Sequence, residues 1–324
     1  MEQASPSPQA PRVTCSSGVP GFRHRGRGSL SRPFVVGLAV LLVLGCTDAV
    51  LAWGPAVHIG FANAVLGNLG LLPAAIAVIL KKHRTAYRYG SIAADVVFVK
   101  RWSRVKQSCH HWSTAFNLLE RAETERAEAF AYGYLSHLAA DTVAHGKYVP
   151  RQVLLSGSTL NLGHLYWELR ADATQAEATW ERLSRLLRAD HDDHHGALRG
   201  HLSETFLPHH WNLLLFYRMN SMAIRPVVRR TLEAWGRSWG SELPADVLAE
   251  YQSESIERIR SVLALGSRSA VVREDPNGTS ALMRVSVHRR DARRRRRRGI
   301  EKERDLTEAS RAFGPMVVGG SQGG

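Results

Sequence analysis

The sequence predicts an all-α protein: one compact multi-helix domain between two end segments of different character. Three observations carry this expectation. From Val57 to about Leu265, Ala and Leu recur at helical spacing, and strand-like alternation of Val, Ile and Thr is scarce. The formal charge of +14 over 324 residues is uneven. Residues 1–52 hold five Arg against Glu2 and Asp48 (+3), residues 266–324 hold fourteen Lys/Arg against seven acids (+7), and residues 53–265 keep only +4. Finally, a 44% hydrophobic composition excludes wholesale disorder, and three cysteines exclude a multi-disulfide scaffold. The expected division is therefore a targeting segment at 1–52, a helical domain at 53–265 and a basic tail at 266–324. A domain of about 210 residues is large enough for its own core.

Arg23, Arg25, Arg27 and Arg32 precede an apolar run from Phe34 to Gly45. Twelve residues fall short of the ~20 that span a bilayer as a helix. The pattern reads as a secretory signal peptide, so the protein is expected to be exported. Val50-Leu51-Ala52 offers a cleavage site that leaves Trp53 first in the mature chain. An uncleaved anchor and lipid attachment at Cys46, after Val43-Leu44-Gly45, are the lesser alternatives.

Within the domain, Thr114 to Ala140 reads as one long helix, with Ser113 or Thr114 as N-cap and Leu118, Ala122, Ala129, Phe130, Tyr134 and Leu138 on one face. A second helix opens at Asn161 or Gly163 and runs to Leu187. Arg225-Pro226 and Leu243-Pro244 mark helix starts, and Tyr251–Leu265 is a last amphipathic segment. After Gly266 the pattern dissolves. Arg289, Arg290 and Arg293–Arg298 form a block of like charge, expected to be disordered and able to meet an anionic membrane surface.

The chemistry is concentrated in polar residues on apolar helices. His137, Asp141 and His145 recur at i, i+4 and i+8 among Leu, Ala, Val and Tyr, which makes one polar stripe on a helix. A buried carboxylate between two imidazoles needs a strong partner, and a divalent metal is the commonest one. His164 and Glu168 make a second pair one turn apart, again in aromatic and aliphatic company. Upstream lie Trp53-Gly54-Pro55-Ala56-Val57-His58, the small-residue approach Tyr89-Gly90-Ser91-Ile92-Ala93-Ala94-Asp95, and His110-His111-Trp112. Two other groups, His191/His194/His195 and His209-His210, sit in polar or Pro-flanked surroundings and do not read as ligands.

Taken in order, Trp-Gly-x-x-x-His, Gly-Ser-Ile-Ala-x-Asp, His-Trp, Gly-x-x-x-His-x-x-x-Asp-x-x-x-His and His-x-x-x-Glu resemble the zinc-dependent phospholipase C family. Its wider superfamily includes the catalytic domain of glycosylphosphatidylinositol-specific phospholipase D and the fungal zinc-dependent nucleases. The resemblance implies an all-helical domain with a buried cluster of three zinc ions. It assigns Asp95, His111, His137 and Asp141 to one zinc, and His145, His164 and Glu168 to a second. Trp53, through a free amino group and carbonyl, and His58 would hold the third, with Asp141 bridging. Asp95 doubles as the expected general base. His111 is preferred over the adjacent His110 on the strength of Trp112. The Asp141–His145 spacing is closer to the phospholipase D branch than to the choline-selective enzymes, which also carry an aromatic residue where this chain has Val96.

The expected activity is hydrolysis of a phospholipid or another phosphodiester, with no obligate protein partner evident. A nuclease or nucleotidase of the same architecture is the enzymatic alternative. A non-catalytic, zinc-holding or membrane-binding surface protein is the other.

Overall fold

The computed structural model describes residues 53–96, 108–156, 158, 160–201, 213–214, 216–218, 220, 225–239, 244–296 and 311–314. Its elements are helical throughout, and no strand occurs among the described residues. In chain order they are α1 (Pro55–Gly67), α2 (Ala74–Lys82), α3 (Arg84–Ala93), α4 (Trp112–Glu120), α5 (Glu125–Val143), α6 (Val149–Ser156), α7 (Leu160–Asp172), α8 (Glu177–Leu186), α9 (Asp192–His201), α10 (Arg225–Trp239), α11 (Ala245–Leu265) and α12 (Thr279–Arg296). None of them is long and apolar enough to cross a membrane.

The centre of the bundle is α5. From Ala129 to Val143 every residue but Tyr132 is buried, because α3, α4 and α11 pack around it. An apolar surface on all sides is what a helix enclosed by neighbours requires. A π turn, Ala144–Tyr148, joins α5 to α6 without a break in the helical run. Such turns insert one residue and rotate the side chains that follow.

The expected long helix from Thr114 to Ala140 is two helices. Arg121 closes α4, and Thr124 opens α5 by accepting the Ala127 N–H at 3.1 Å, with Glu125 and Glu128 in the first turn. A side-chain cap followed by acids is a strong start signal, and here it wins over continuous apolar periodicity. The helix expected to reach Leu187 likewise breaks after Asp172, where the Thr174 hydroxyl donates to the Ala171 carbonyl, and resumes as α8.

Residues 266–296 depart most from expectation. Instead of a disordered tail they form two 3-10 turns and α12, which lies against α6 and the π turn. Ala281 and Val285 are buried, as is Phe313, whose carbonyl accepts the Tyr251 hydroxyl at 2.7 Å. The apolar side that packs lies in the first turns of α12, ahead of the basic block. Arg297, Arg298 and residues 1–52, including the expected cleavage site and Cys46, lie outside the described residues.

Candidate metal centre

The close crossing of α3 and α5 builds the centre. Gly90 lies against Gly133, and a Cβ on Gly133 would stand only 2.1 Å from the Tyr87 carbonyl oxygen. The small-residue approach visible in the sequence is therefore a helix–helix contact. It brings the Ser91 carbonyl within 3.0 Å of His137 Nδ1. A carbonyl only accepts, so His137 donates from Nδ1 and turns its Nε2 inward.

Around that nitrogen stand Asp141 Oδ2 at 3.1 Å, His110 Nε2 at 3.1 Å and Asp95 Oδ1 at 3.8 Å. His110 Nε2 lies 3.4 Å from Asp95 Oδ1 and 3.3 Å from Asp141 Oδ2. On the other side His58 Nε2 lies 3.2 Å from Asp141 Oδ1, and its ring stacks on His137. All five side chains are buried. His110 and His137 share a hydrogen bond between their Nε2 atoms, whereas the carboxylate contacts are ion-pair distances in which the oxygens of Asp95 and Asp141 have no aligned donor.

A second group forms where the π turn meets α7. Ligand atoms of His145, His164 and Glu168 lie within 4.8 Å of one another, with His164 Nε2 2.7 Å from Glu168 Oε1. The i+8 stripe thus divides. His137 and Asp141 face the first group, and the π turn carries His145 to the second.

The charge balance argues for a cation. Burial pushes the Asp141 carboxyl up, but His137, His110 and His58 around it hold it well below the usual carboxylate range. Asp95 is also lowered, with His137 and His110 outweighing its burial. His58 is held below its ordinary value by burial and by His137. Two carboxylates and three imidazoles converging out of water, with carboxylate oxygens that lack an aligned donor, make a set that a divalent ion would satisfy. Imidazole nitrogen and carboxylate oxygen without thiolate suit zinc. The residues present fit the metal.

One expected ligand is corrected. His111 is exposed and caps α4, accepting the Ser113 N–H at 3.3 Å, with its Nδ1 2.6 Å from the Ser113 hydroxyl. Its neighbour His110 turns inward instead. The 3-10 turn Ser108–His110 ends there, so adjacent residues point apart and only one can enter the site. Trp53 contributes its indole to the core, stacked on Tyr148 and donating to Ser255 Oγ at 3.2 Å. The part expected of its amino group depends on residue 52, outside the described residues.

Sequence reasoning missed Asp172. This buried carboxylate accepts the N–H groups of Ala56 and Val57, the latter at 2.8 Å, and so caps α1 just before His58. Burial raises its pKa to about 7 against those two bonds. The signal was available: His164, Glu168 and Asp172 continue one four-residue period. His191 and His194 are not near the centre but stack on Tyr89 and Phe130. His209 and His210 lie outside the described residues.

Comparison with known proteins agrees with this geometry. Residues 57–207 match a family described as zinc dependent phospholipase C, and that stretch contains every donor above except Trp53. No curated protein and no solved structure gives a match. An all-helical fold and buried His/Asp/Glu groups accompany the match over the same residues. Residues 57–207 thus carry a zinc-dependent phospholipase C domain, that of a zinc-dependent phosphodiester hydrolase.

Proposed function

We propose that the chain is an exported enzyme that hydrolyses phospholipids at a centre of three zinc ions. The observation that carries the reading is the split of Asp141. Its Oδ1 faces His58 and its Oδ2 faces His110 and His137, at 3.1–3.3 Å. One carboxylate so placed would serve two ions, and the His145/His164/Glu168 group would hold another. In this reading Asp95, His110, His137 and Asp141 hold the first ion. Trp53, His58 and Asp141 hold the third, once cleavage after Ala52 frees the Trp53 amine.

Zinc bound there supplies Lewis acidity towards phosphate oxygens and acidifies water towards a pKa of ~7. The chain's own residues do the rest. In this reading Asp95, buried and with its carboxyl held low by His137 and His110, would take a proton from the attacking water. The Ser91 carbonyl fixes the His137 tautomer and ring, so that Nε2 stays a ligand and not a competing base. Asp172 holds the start of α1, and with it His58, in register. The Arg-rich run from Arg289 to Arg298 would draw the protein to an anionic bilayer, at about 1 kcal/mol per basic residue near the surface.

Parallel assays on phospholipid vesicles and single-stranded DNA, with N-terminal sequencing of the exported protein, test the reading. It expects release of a phosphorylated head group from lipid, little DNA cleavage and Trp53 as first residue. DNA as the preferred substrate supports the nuclease alternative. A lipid-modified Cys46 or an intact residue 1 removes the amine ligand.

A further inference from the structure

The segment after α11 lies outside the residues that match the family, yet it reaches the metal centre from behind. Its turn is built by Asp275, whose carboxylate accepts the N–H groups of Asn277 and Thr279 at 2.9 Å each. That arrangement aims Asn277 and Gly278 at two different histidines. Asn277 Nδ2–H donates to the His110 carbonyl at 3.0 Å. Gly278, at φ +62°, lies directly on the backbone of His145: a Cβ there would stand 2.4 Å from the His145 carbonyl oxygen and 2.5 Å from its Cβ.

The same turn is tied down on both flanks. The Glu274 carbonyl accepts Trp112 Nε1–H at 2.9 Å, next to the His110 turn. The Glu274 carboxylate pairs with Arg258, which donates at 2.8 Å to Thr142 Oγ1, the neighbour of Asp141. One short loop therefore meets the His110 carbonyl and the His145 backbone directly, and reaches Thr142, beside Asp141, through Arg258. His110 belongs to one donor group and His145 to the other.

We propose that Asn277 and Gly278 are positioning residues that set the spacing between the two donor groups. The inference rests on the metal reading given above. Ligand distances in a metal site tolerate only about 0.2 Å, so a backbone shift at either histidine changes how its ion is held. Loss of the Asn277 bond frees the His110 turn on one side, and a side chain at position 278 displaces the π turn on the other. The fold could keep α12 docked through Ala281 and Val285 while losing that spacing.

The test uses the full-length protein loaded with zinc, and separately with cobalt, whose visible spectrum reports ligand geometry. Asn277→Ala and Gly278→Ala are compared with Val285→Ala, which thins the buried side of α12 seven residues beyond the loop. Both loop variants are expected to surrender zinc at chelator concentrations at least ~10-fold lower than wild type. They should also shift the cobalt spectrum and lower kcat more than they raise KM. Val285→Ala should lower the unfolding midpoint with spectrum and affinity unchanged. Wild-type affinity and spectrum in both loop variants would overturn the proposal, as would an equal change in Val285→Ala. Absence of zinc from the wild-type protein, measured first, would overturn the metal reading itself and this proposal with it.

Discussion

Gly133→Ala tests how the crossing of α3 and α5 makes the site. A Cβ at residue 133 would lie 2.1 Å from the Tyr87 carbonyl oxygen, 2.8 Å from the Ser91 nitrogen and 2.9 Å from Gly90 Cα. An ordinary carbon–oxygen contact is about 3.3 Å, so the helices must part by about 1 Å. All three obstructing atoms are backbone, and no rotamer change relieves them. The same movement stretches the bond from His137 Nδ1 to Ser91 from 3.0 Å to about 4 Å, beyond hydrogen bonding. Overpacking costs about 1–3 kcal/mol and the buried bond about 1 more, so stability should fall by about 2–4 kcal/mol. Gly67→Ala, with nothing within 4 Å of the new Cβ, is the control and should stay within about 1 kcal/mol of wild type. Urea unfolding with and without chelator, plus zinc retained after dialysis, measures both effects. If Gly133→Ala matches wild type in midpoint and zinc content, the helix contact does not position His137 and the reasoning fails.

Other consequences follow from the same geometry. His110→Ala should lose zinc and at least ~100-fold in turnover, while His111→Ala keeps its zinc and loses only about 1 kcal/mol of stability as a missing cap; metal analysis of the pair decides between them. Asp141→Asn should lower zinc stoichiometry and turnover more than Asp95→Asn, because only Asp141 presents oxygens to both His58 and His137; near-normal turnover with full zinc would end the bridging reading. Stability should also depend on pH through His194, lowered to about 4 by burial and by Arg126. Folded His194 refuses the proton that an unfolded one takes near 6.5, so its contribution is whole above pH 6.5, falls as pH drops, and levels off below about 4. By pH 5 the loss is about 1–2 kcal/mol, allowing for water that reaches the ring. His194→Phe, which retains a ring to stack on Phe130, should flatten that slope in urea titrations at pH 7 and 5.

The helical class and most of the donors are legible in the sequence because a four-residue repeat of polar groups among Leu and Ala has few other uses. His137, Asp141, His164 and Glu168 follow from that repeat alone, and the structure brings each into a donor group. Geometry that depends on one residue of backbone phase is not legible. His110 and His111 are adjacent and chemically alike, and only the 3-10 turn decides which is buried. His145 keeps the i+8 spacing but belongs to the other group, because the π turn follows Val143. The breaks after Glu120 and Asp172 are masked by apolar periodicity running through them, although Thr124 carries a local start signal. In α12 the arginines dominate the composition, and two small apolar residues suffice to dock it. A charge count sees the first and not the second.

The central claim is that these buried groups hold the zinc that hydrolyses phospholipid. Titrating metal-free protein with zinc while following head-group release from phospholipid vesicles tests it most directly. The account predicts no hydrolysis before zinc is added and a rise to a plateau near about three equivalents per chain. Full hydrolysis by the metal-free protein, or no uptake of zinc across the titration, would contradict it.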